Sequence, residues 1–321
     1  MKLLVTGGAG FIGSYLCEKL LGMGHSVISL DDLSTGTMGN LQTIKDNPGL
    51  KVIQGSVVDE KLVNDLIKDS DGCFHMAAAV GVKKILDDPI GSLETNLQGS
   101  HNVIKAAAKY GKRLLLASTS EIYGKNPNQP LTEESDRVIG SPLLSRWTYS
   151  EAKAIDESMA RAYYERDGLK VQIVRLFNTV GPRQSAAYGM VIPRFFESAL
   201  SNKDLQIHGE GNQRRVFCHV RDAVDGILSL WNTDEGMGQA FNVGGIEEIS
   251  INELANKIVS MTKSRSKLSY IPYHELRKKG FEDMERRIPN SDRLLQLTGW
   301  KAQYSLDRIL DDYYQYLDLR N

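Results

Sequence analysis

Two rhythms of apolar and polar residues alternate along the first half of the chain. Short runs such as Lys2-Leu3-Leu4-Val5-Thr6 and His25–Leu30 are almost continuously apolar and end at turn or acidic residues, the mark of strands buried on both faces. Between them the apolar residues recur every three or four positions. Ile12, Leu16, Leu20 and Met23 share one face of a helix predicted from about Phe11 to Gly22. The alternation continues with a strand near 51–54, a helix near 60–68, a strand at 72–76, a long helix over about 91–110 and a strand at 113–117. Strands alternating with helices imply right-handed crossovers, so the pattern predicts an α/β chain with a Rossmann-type, doubly wound parallel sheet.

After Gly124 the rhythm breaks. Residues 125–146 hold three of the nine prolines and suit a lid or surface loop better than a linker between independent domains. A helix over about 147–166 and a strand at 170–177 resume the pattern, and that strand is expected still to belong to the main sheet. From residue 178 glycine- and proline-rich loops alternate with helices near 191–200, 222–231 and 251–261. The chain therefore divides into residues 1–177, carrying the sheet, and 178–321, a smaller mixed α/β region interleaved with the first.

Composition narrows the function classes. Among 321 residues, 39 basic and 40 acidic ones give a net charge of −1, so nothing here attracts nucleic acid or an anionic membrane. No apolar run reaches about 18 residues, and Met1-Lys2 leads straight into a strand without a signal peptide. Cys17, Cys73 and Cys218 are far apart and lack metal-ligand spacing, which suits buried free thiols. The expectation is a soluble, cytoplasmic protein with no metal.

The chemistry begins at the first turn. Gly7, Gly10 and Gly13 follow a strand and open a helix, with Phe11 and Ile12 in its first turn. Glycines there let a backbone approach a pyrophosphate, while the helix N-terminus supplies free N–H groups. The second strand ends at Asp31, an acid suited to the ribose hydroxyls of NAD and unfavourable to the 2′-phosphate of NADP. A second feature is Leu114–Ala117, an apolar run that stops at Ser118-Thr119-Ser120-Glu121, where an open parallel sheet binds its ligands. A third is Tyr149 and Lys153, four apart on one helix face. An ammonium beside a phenol is expected to lower its pKa toward that of a useful general base.

TGGAGFIG, ASTSEIYG and YSEAK together resemble the extended short-chain dehydrogenase/reductase family that modifies nucleotide sugars, and the resemblance spans essentially the whole chain. It implies a tightly held NAD that is reduced and reoxidised within one turnover. Tyr149 would deprotonate the sugar 4-hydroxyl, Thr119 would hydrogen-bond that oxygen, Lys153 would bind the nicotinamide ribose, and Asn96 would support the central helix. RLFNTVGPRQ places Asn178 at a diphosphate contact and Pro182 beside the nicotinamide. GNQRRVFCHVRD places Arg215 on the diphosphate. GFEDMERRIP resembles a motif of UDP-glucuronate decarboxylases in which an aromatic residue and an arginine sit at the sugar carboxylate and nucleotide, here Phe281 and Arg287, with Phe replacing the usual Tyr. Relatives carry an Asp where Ser56 stands, so the adenine contact falls to backbone or Val57.

Three reactions share this scaffold once a 4-keto sugar forms: decarboxylation, 4,6-dehydration and 4-epimerisation. Ser120-Glu121 is the pair carried by UDP-glucuronate decarboxylases and GDP-mannose dehydratases, whereas glucose-type dehydratases carry Asp-Glu and epimerases small residues. The resemblance thus favours decarboxylation of UDP-glucuronate to UDP-xylose or its 4-keto form. A UDP-sugar 4-epimerase and an NDP-sugar 4,6-dehydratase remain as alternatives. A non-catalytic NAD-sensing regulator is disfavoured, because such proteins tend to lose the Tyr/Lys pair. Relatives also imply a homodimer that pairs the helices near 91–110 and 147–166.

Overall fold

Seven short segments pair side by side, all parallel: β1 (Lys2–Thr6), β2 (Ser26–Asp31), β3 (Leu50–Gln54), β4 (Gly72–His75), β5 (Arg113–Thr119), β6 (Val171–Leu176) and β7 (Ala240–Val243). Their order is β7-β6-β5-β4-β1-β2-β3, a doubly wound sheet whose direction of winding reverses between β1 and β4. The structure is a computed structural model that describes residues 1–79, 81, 88–277 and 282–319.

Among the described residues eight helices have nine or more residues: α1 (Phe11–Gly22), α2 (Glu60–Lys68), α3 (Pro89–Lys109), α4 (Thr148–Asp167), α5 (Val191–Leu200), α6 (Val220–Trp231), α7 (Ile251–Met261) and α8 (Leu306–Asp318). Their ends follow local chemistry. The Asp59 side chain accepts from Leu62 N–H at the start of α2, and Ser250 and Glu253 form a reciprocal capping box on α7. Asp88 caps α3 just before Pro89, where the missing N–H costs no hydrogen bond. Helix α1 has no side-chain cap, which leaves its first-turn N–H groups open.

One face of the sheet is covered by α1 and α6, with Leu16 and Leu20 in the same core as Val224 and Ile227, and with Phe74 against Trp231 at 4.2 Å between ring centres. The other face carries α2, α3 and α4 through Val63, Ile67, Val103, Ile104 and Ala160. These side chains are fully buried, and each of the Val and Ile ones contributes roughly 1.5–3 kcal/mol of transfer free energy.

The main departure from expectation is β7. The sheet does not close at residue 177: α6 and β7 return to it from the second half of the chain, and β7 pairs with β6 from Ala240–Ile173 to Val243–Leu176. Strand β5 also runs two residues beyond the predicted end, pairing Ser118 with Arg175 and Thr119 with Leu176. The rest of the second half forms a separate core around Phe195, Phe196, Leu254 and Ile309. It also forms a small sheet in which Arg214–Val216 lies between Glu248–Ser250 and Arg286–Arg287. Cys17, Cys73 and Cys218 are buried and unpaired. Among the described residues no helix is long and apolar enough to cross a membrane.

Candidate active site

At the carboxyl ends of the strands one cavity runs from the first glycine turn to the end of β5 and the start of α4. Its cofactor end is shaped by backbone. Gly7 has φ +69°, and a Cβ on Gly13 would lie 2.0 Å from the Gly7 carbonyl oxygen, so no larger residue fits there. Gly10, Phe11 and Ile12 line the same cavity beside the uncapped start of α1. The Asp31 carboxylate closes this end, accepting Ala9 N–H at 2.9 Å and Leu33 N–H at 2.8 Å. Burial raises its pKa, and these backbone donors oppose the rise. Gly55 and Val57 line the cavity. A glycine cradle, open N–H groups and a terminal carboxylate fit a dinucleotide.

Thr119, Tyr149 and Lys153 line the other end of the same cavity. The Thr119 hydroxyl is hydrogen-bonded to Tyr149, and its Oγ1 also accepts from Glu121 N–H at 3.2 Å. The expectation that Lys153 lowers the Tyr149 pKa is not met in this state. Burial raises it, with further upward contributions from the Glu121 and Asp156 charges, against the Thr119 hydrogen bond. Burial is the main cause, and on the same helix the Lys153 ammonium lies 3.2 Å from the Asp156 carboxylate.

That carboxylate ends a buried polar chain. Asp156 Oδ2 accepts from Ser100 Oγ at 2.7 Å, Ser100 Oγ is 3.1 Å from His75 Nε2, and His75 Nδ1 is 2.7 Å from Thr6 Oγ1. Burial holds the His75 pKa well below the ordinary histidine value, so the ring is neutral. Ser100 gives its proton to Asp156, hence Nε2 carries the imidazole hydrogen and Nδ1 accepts from Thr6. Asn96 sits on α3 and clamps the segment after β4, with its amide bonded to both the N–H and the carbonyl of Ala79.

Glu121 follows Thr119 and Ser120 in a short 3-10 turn after β5. Its carboxylate pairs with Arg287 through one oxygen and with Arg146 through the other. Burial alone would raise its pKa, but the two guanidinium groups outweigh burial and bring it to about 2. Arg287 also donates to the Asn178 side chain, whose amide in turn donates to Val216 O at 2.7 Å. Thus Ser120, Glu121, Asn178 and Arg287 meet at one wall of the cavity.

Other expected residues lie elsewhere. Pro182 is not among the lining residues; its carbonyl accepts from the Tyr15 hydroxyl at 3.3 Å. Arg215 is buried behind the wall and paired with Asp283 at 2.7 Å, on a strand whose register sets it beside Arg287. Phe281 lies outside the described residues. Two site residues were missed from sequence, Arg146 and Asp156. Both had a readable signal: Arg146 lies three residues before Tyr149, in the 3-10 turn Ser145–Trp147 that leads into α4, and Asp156 lies three after Lys153 on α4.

Comparison with known proteins agrees with this geometry. The GDP-mannose 4,6 dehydratase family matches the chain over residues 4–313. The chain belongs to that family. It is 36% identical over 316 residues to the UDP-N-acetyl-alpha-D-glucosaminuronate decarboxylase of Bacillus cytotoxicus, covering 98% of this chain and 97% of that one. It is 34% identical to UDP-glucuronic acid decarboxylase 1 of Danio rerio, covering 98% of this chain and 72% of the relative. Among similar proteins of known structure, the dTDP-glucose 4,6-dehydratase DesIV of Streptomyces venezuelae was solved with NAD bound. It superposes with a TM-score of 0.90 at 28% identity, covering 99% of this chain and 97% of that one.

Proposed function

We propose that this protein is an NAD-dependent decarboxylase of a UDP-linked uronate, converting UDP-glucuronate to UDP-xylose or its 4-keto form. Gly7, Gly10, Phe11, Ile12, Gly13, Asp31 and Lys153 would hold the NAD, which supplies an acceptor and donor of hydride when bound. Tyr149 is the general base that takes the proton of the sugar 4-hydroxyl, and Thr119 hydrogen-bonds the same oxygen. Oxidation at C4 places the C5 carboxylate β to a ketone. Loss of CO₂ then leaves the bond electrons on the C4 oxygen, and C5 regains a proton.

The observation that carries the reading is the state of Glu121. Both its oxygens are engaged by arginines and its pKa lies near 2, so it is a poor base for removing a C5 proton. Dehydration needs such a base; loss of CO₂ does not. The two curated relatives, both decarboxylases of UDP-uronates by name, support the same choice. Incubating the purified protein with UDP-glucuronate, UDP-N-acetylglucosaminuronate, UDP-glucose and GDP-mannose tests it. CO₂ release from a uronate is expected; loss of water from a hexose, or isomerisation without mass change, would refute it. Release from the acetamido sugar alone would move the substrate to that uronate.

The balanced charge and buried free thiols support a cytoplasmic setting. Helices α3 and α4 lie against each other, and Ile155 on α4 is half exposed, which supports a homodimer through these helices. A monomer in sedimentation at micromolar concentration would remove that assignment.

A further inference from the structure

Glu121 stands between two buried guanidinium groups, an arrangement not expected from the sequence. The side chains of Arg146 and Arg287 are 5% and 10% exposed, and that of Glu121 is 16% exposed. The three groups together carry one positive charge in excess. Among the described residues the neighbouring charges cancel in pairs, Arg215 with Asp283 at 2.7 Å, Lys125 with Glu282 at 3.0 Å and Lys153 with Asp156 at 3.2 Å, so the excess remains although the Asp283 carboxylate also acts on Arg146.

An uncompensated charge in a cavity wall is expensive unless a ligand completes it. The Nε–H of Arg287 is buried and, among the described residues, has no acceptor. Arg146 is held in place by its Nε–H to Glu282 O at 3.2 Å and by the Trp147 ring, 5.3 Å from its guanidinium. It sits one turn before Tyr149, so the excess charge belongs to the end of the cavity where the sugar reacts.

We propose that Arg146 is a specificity-determining residue: with Arg287 and Glu121 it leaves the sugar end one positive charge in excess, selecting nucleotide sugars whose C5 bears a carboxylate. The proposal rests on the decarboxylase reading and adds the charge count that chooses the substrate. It makes the preference a property of the whole trio rather than of any one member.

Calorimetric titration of the NAD-loaded protein with UDP-glucuronate and with UDP-glucose tests this. Wild type should prefer the uronate. Arg146→Gln should lose that preference by about 10- to 100-fold, the value of one charge-assisted contact, while UDP-glucose affinity changes little. Glu121→Gln should strengthen the preference, and Glu121→Gln with Arg146→Gln, which restores the original count, should return toward wild type. Arg146→Lys, keeping the charge without the fork, should retain most of it; these last two variants carry the test if Arg146→Gln does not fold. Equal weakening of both ligands in Arg146→Gln, or an undiminished uronate preference, would overturn the proposal. A wild-type protein with no uronate preference would instead overturn the decarboxylase reading on which it rests.

Discussion

Replacing Asp156 with alanine should destabilise the protein by about 3–5 kcal/mol, the usual consequence of removing one partner from a buried ion pair. Water cannot take over, because the Lys153 and Asp156 side chains are 2% and 1% exposed. Alanine also removes the acceptor of Ser100, adding about 1 kcal/mol. Asparagine keeps an acceptor for Ser100 while deleting the charge, so Asp156→Asn should recover part of the loss. The same variant separates fold from chemistry. Burial, Glu121 and Asp156 all raise the Tyr149 pKa, and the Thr119 hydrogen bond lowers it. Deleting the Asp156 charge removes one upward contribution, so the acid limb of kcat, set by deprotonation of Tyr149, should move to lower pH. Urea unfolding at pH 7 and a kcat–pH profile of wild type and Asp156→Asn check both parts. Unfolding free energies of Asp156→Ala and wild type within about 1 kcal/mol would refute the ion-pair argument. An acid limb unmoved or displaced upward would refute the electrostatic one.

Three further outcomes are expected. Tyr149→Phe should retain NAD yet lose about 100- to 10,000-fold in kcat, the span of a general base; near-normal turnover would remove Tyr149 from the chemistry. Glu121 has a pKa of about 2 against an ordinary 4.5, so its stabilisation is present above about pH 4.5 and lost as pH falls through 2. Roughly 2 kcal/mol should vanish between about pH 7 and pH 3 in wild type. Acid-dependent urea unfolding of Glu121→Gln should lack that component; identical pH slopes would contradict the ion pairs. Gly13→Ala sets a methyl against the Gly7 carbonyl, backbone against backbone. The variant should purify with at least about tenfold weaker NAD binding, and wild-type NAD content would show that the turn relaxes without harm.

What the sequence revealed follows a physical divide. Strands β1 to β6 and helices α1 to α7 were legible because each carries its own periodicity and local stops, such as the glycine after α4 with φ 69°. Strand β7 was not, because Ala240–Val243 is short and has a polar residue at its centre. Asn242 is fully buried, and it is tolerated there because its polar atoms are bonded, above all by Tyr123, which donates to it at 2.7 Å, and by Leu131 O, to which it donates at 3.0 Å. Those partners lie more than one hundred residues away, beyond the reach of any local pattern. The site shows the same divide. Thr119, Tyr149 and Lys153 could be placed by strand end and helix spacing. The Arg146–Glu121–Arg287 arrangement could not, since Arg287 meets Glu121 across 166 residues. Burial also inverted a local inference, raising the Tyr149 pKa where a neighbouring lysine alone would have lowered it.

The late return of β7 has a consequence for how the protein is made. During synthesis the exposed edge of β6 waits without a partner until residue 243 has emerged, roughly 70 residues and several seconds after β6 itself at ordinary translation rates. Until then the NAD-binding sheet presents a row of open N–H and carbonyl groups able to pair with another nascent chain. The residues that come out in the interval, 178–239, include Asn178 and Arg215. Both have therefore left the ribosome before the sheet closes, so the two halves of the chain are expected to mature together rather than one after the other.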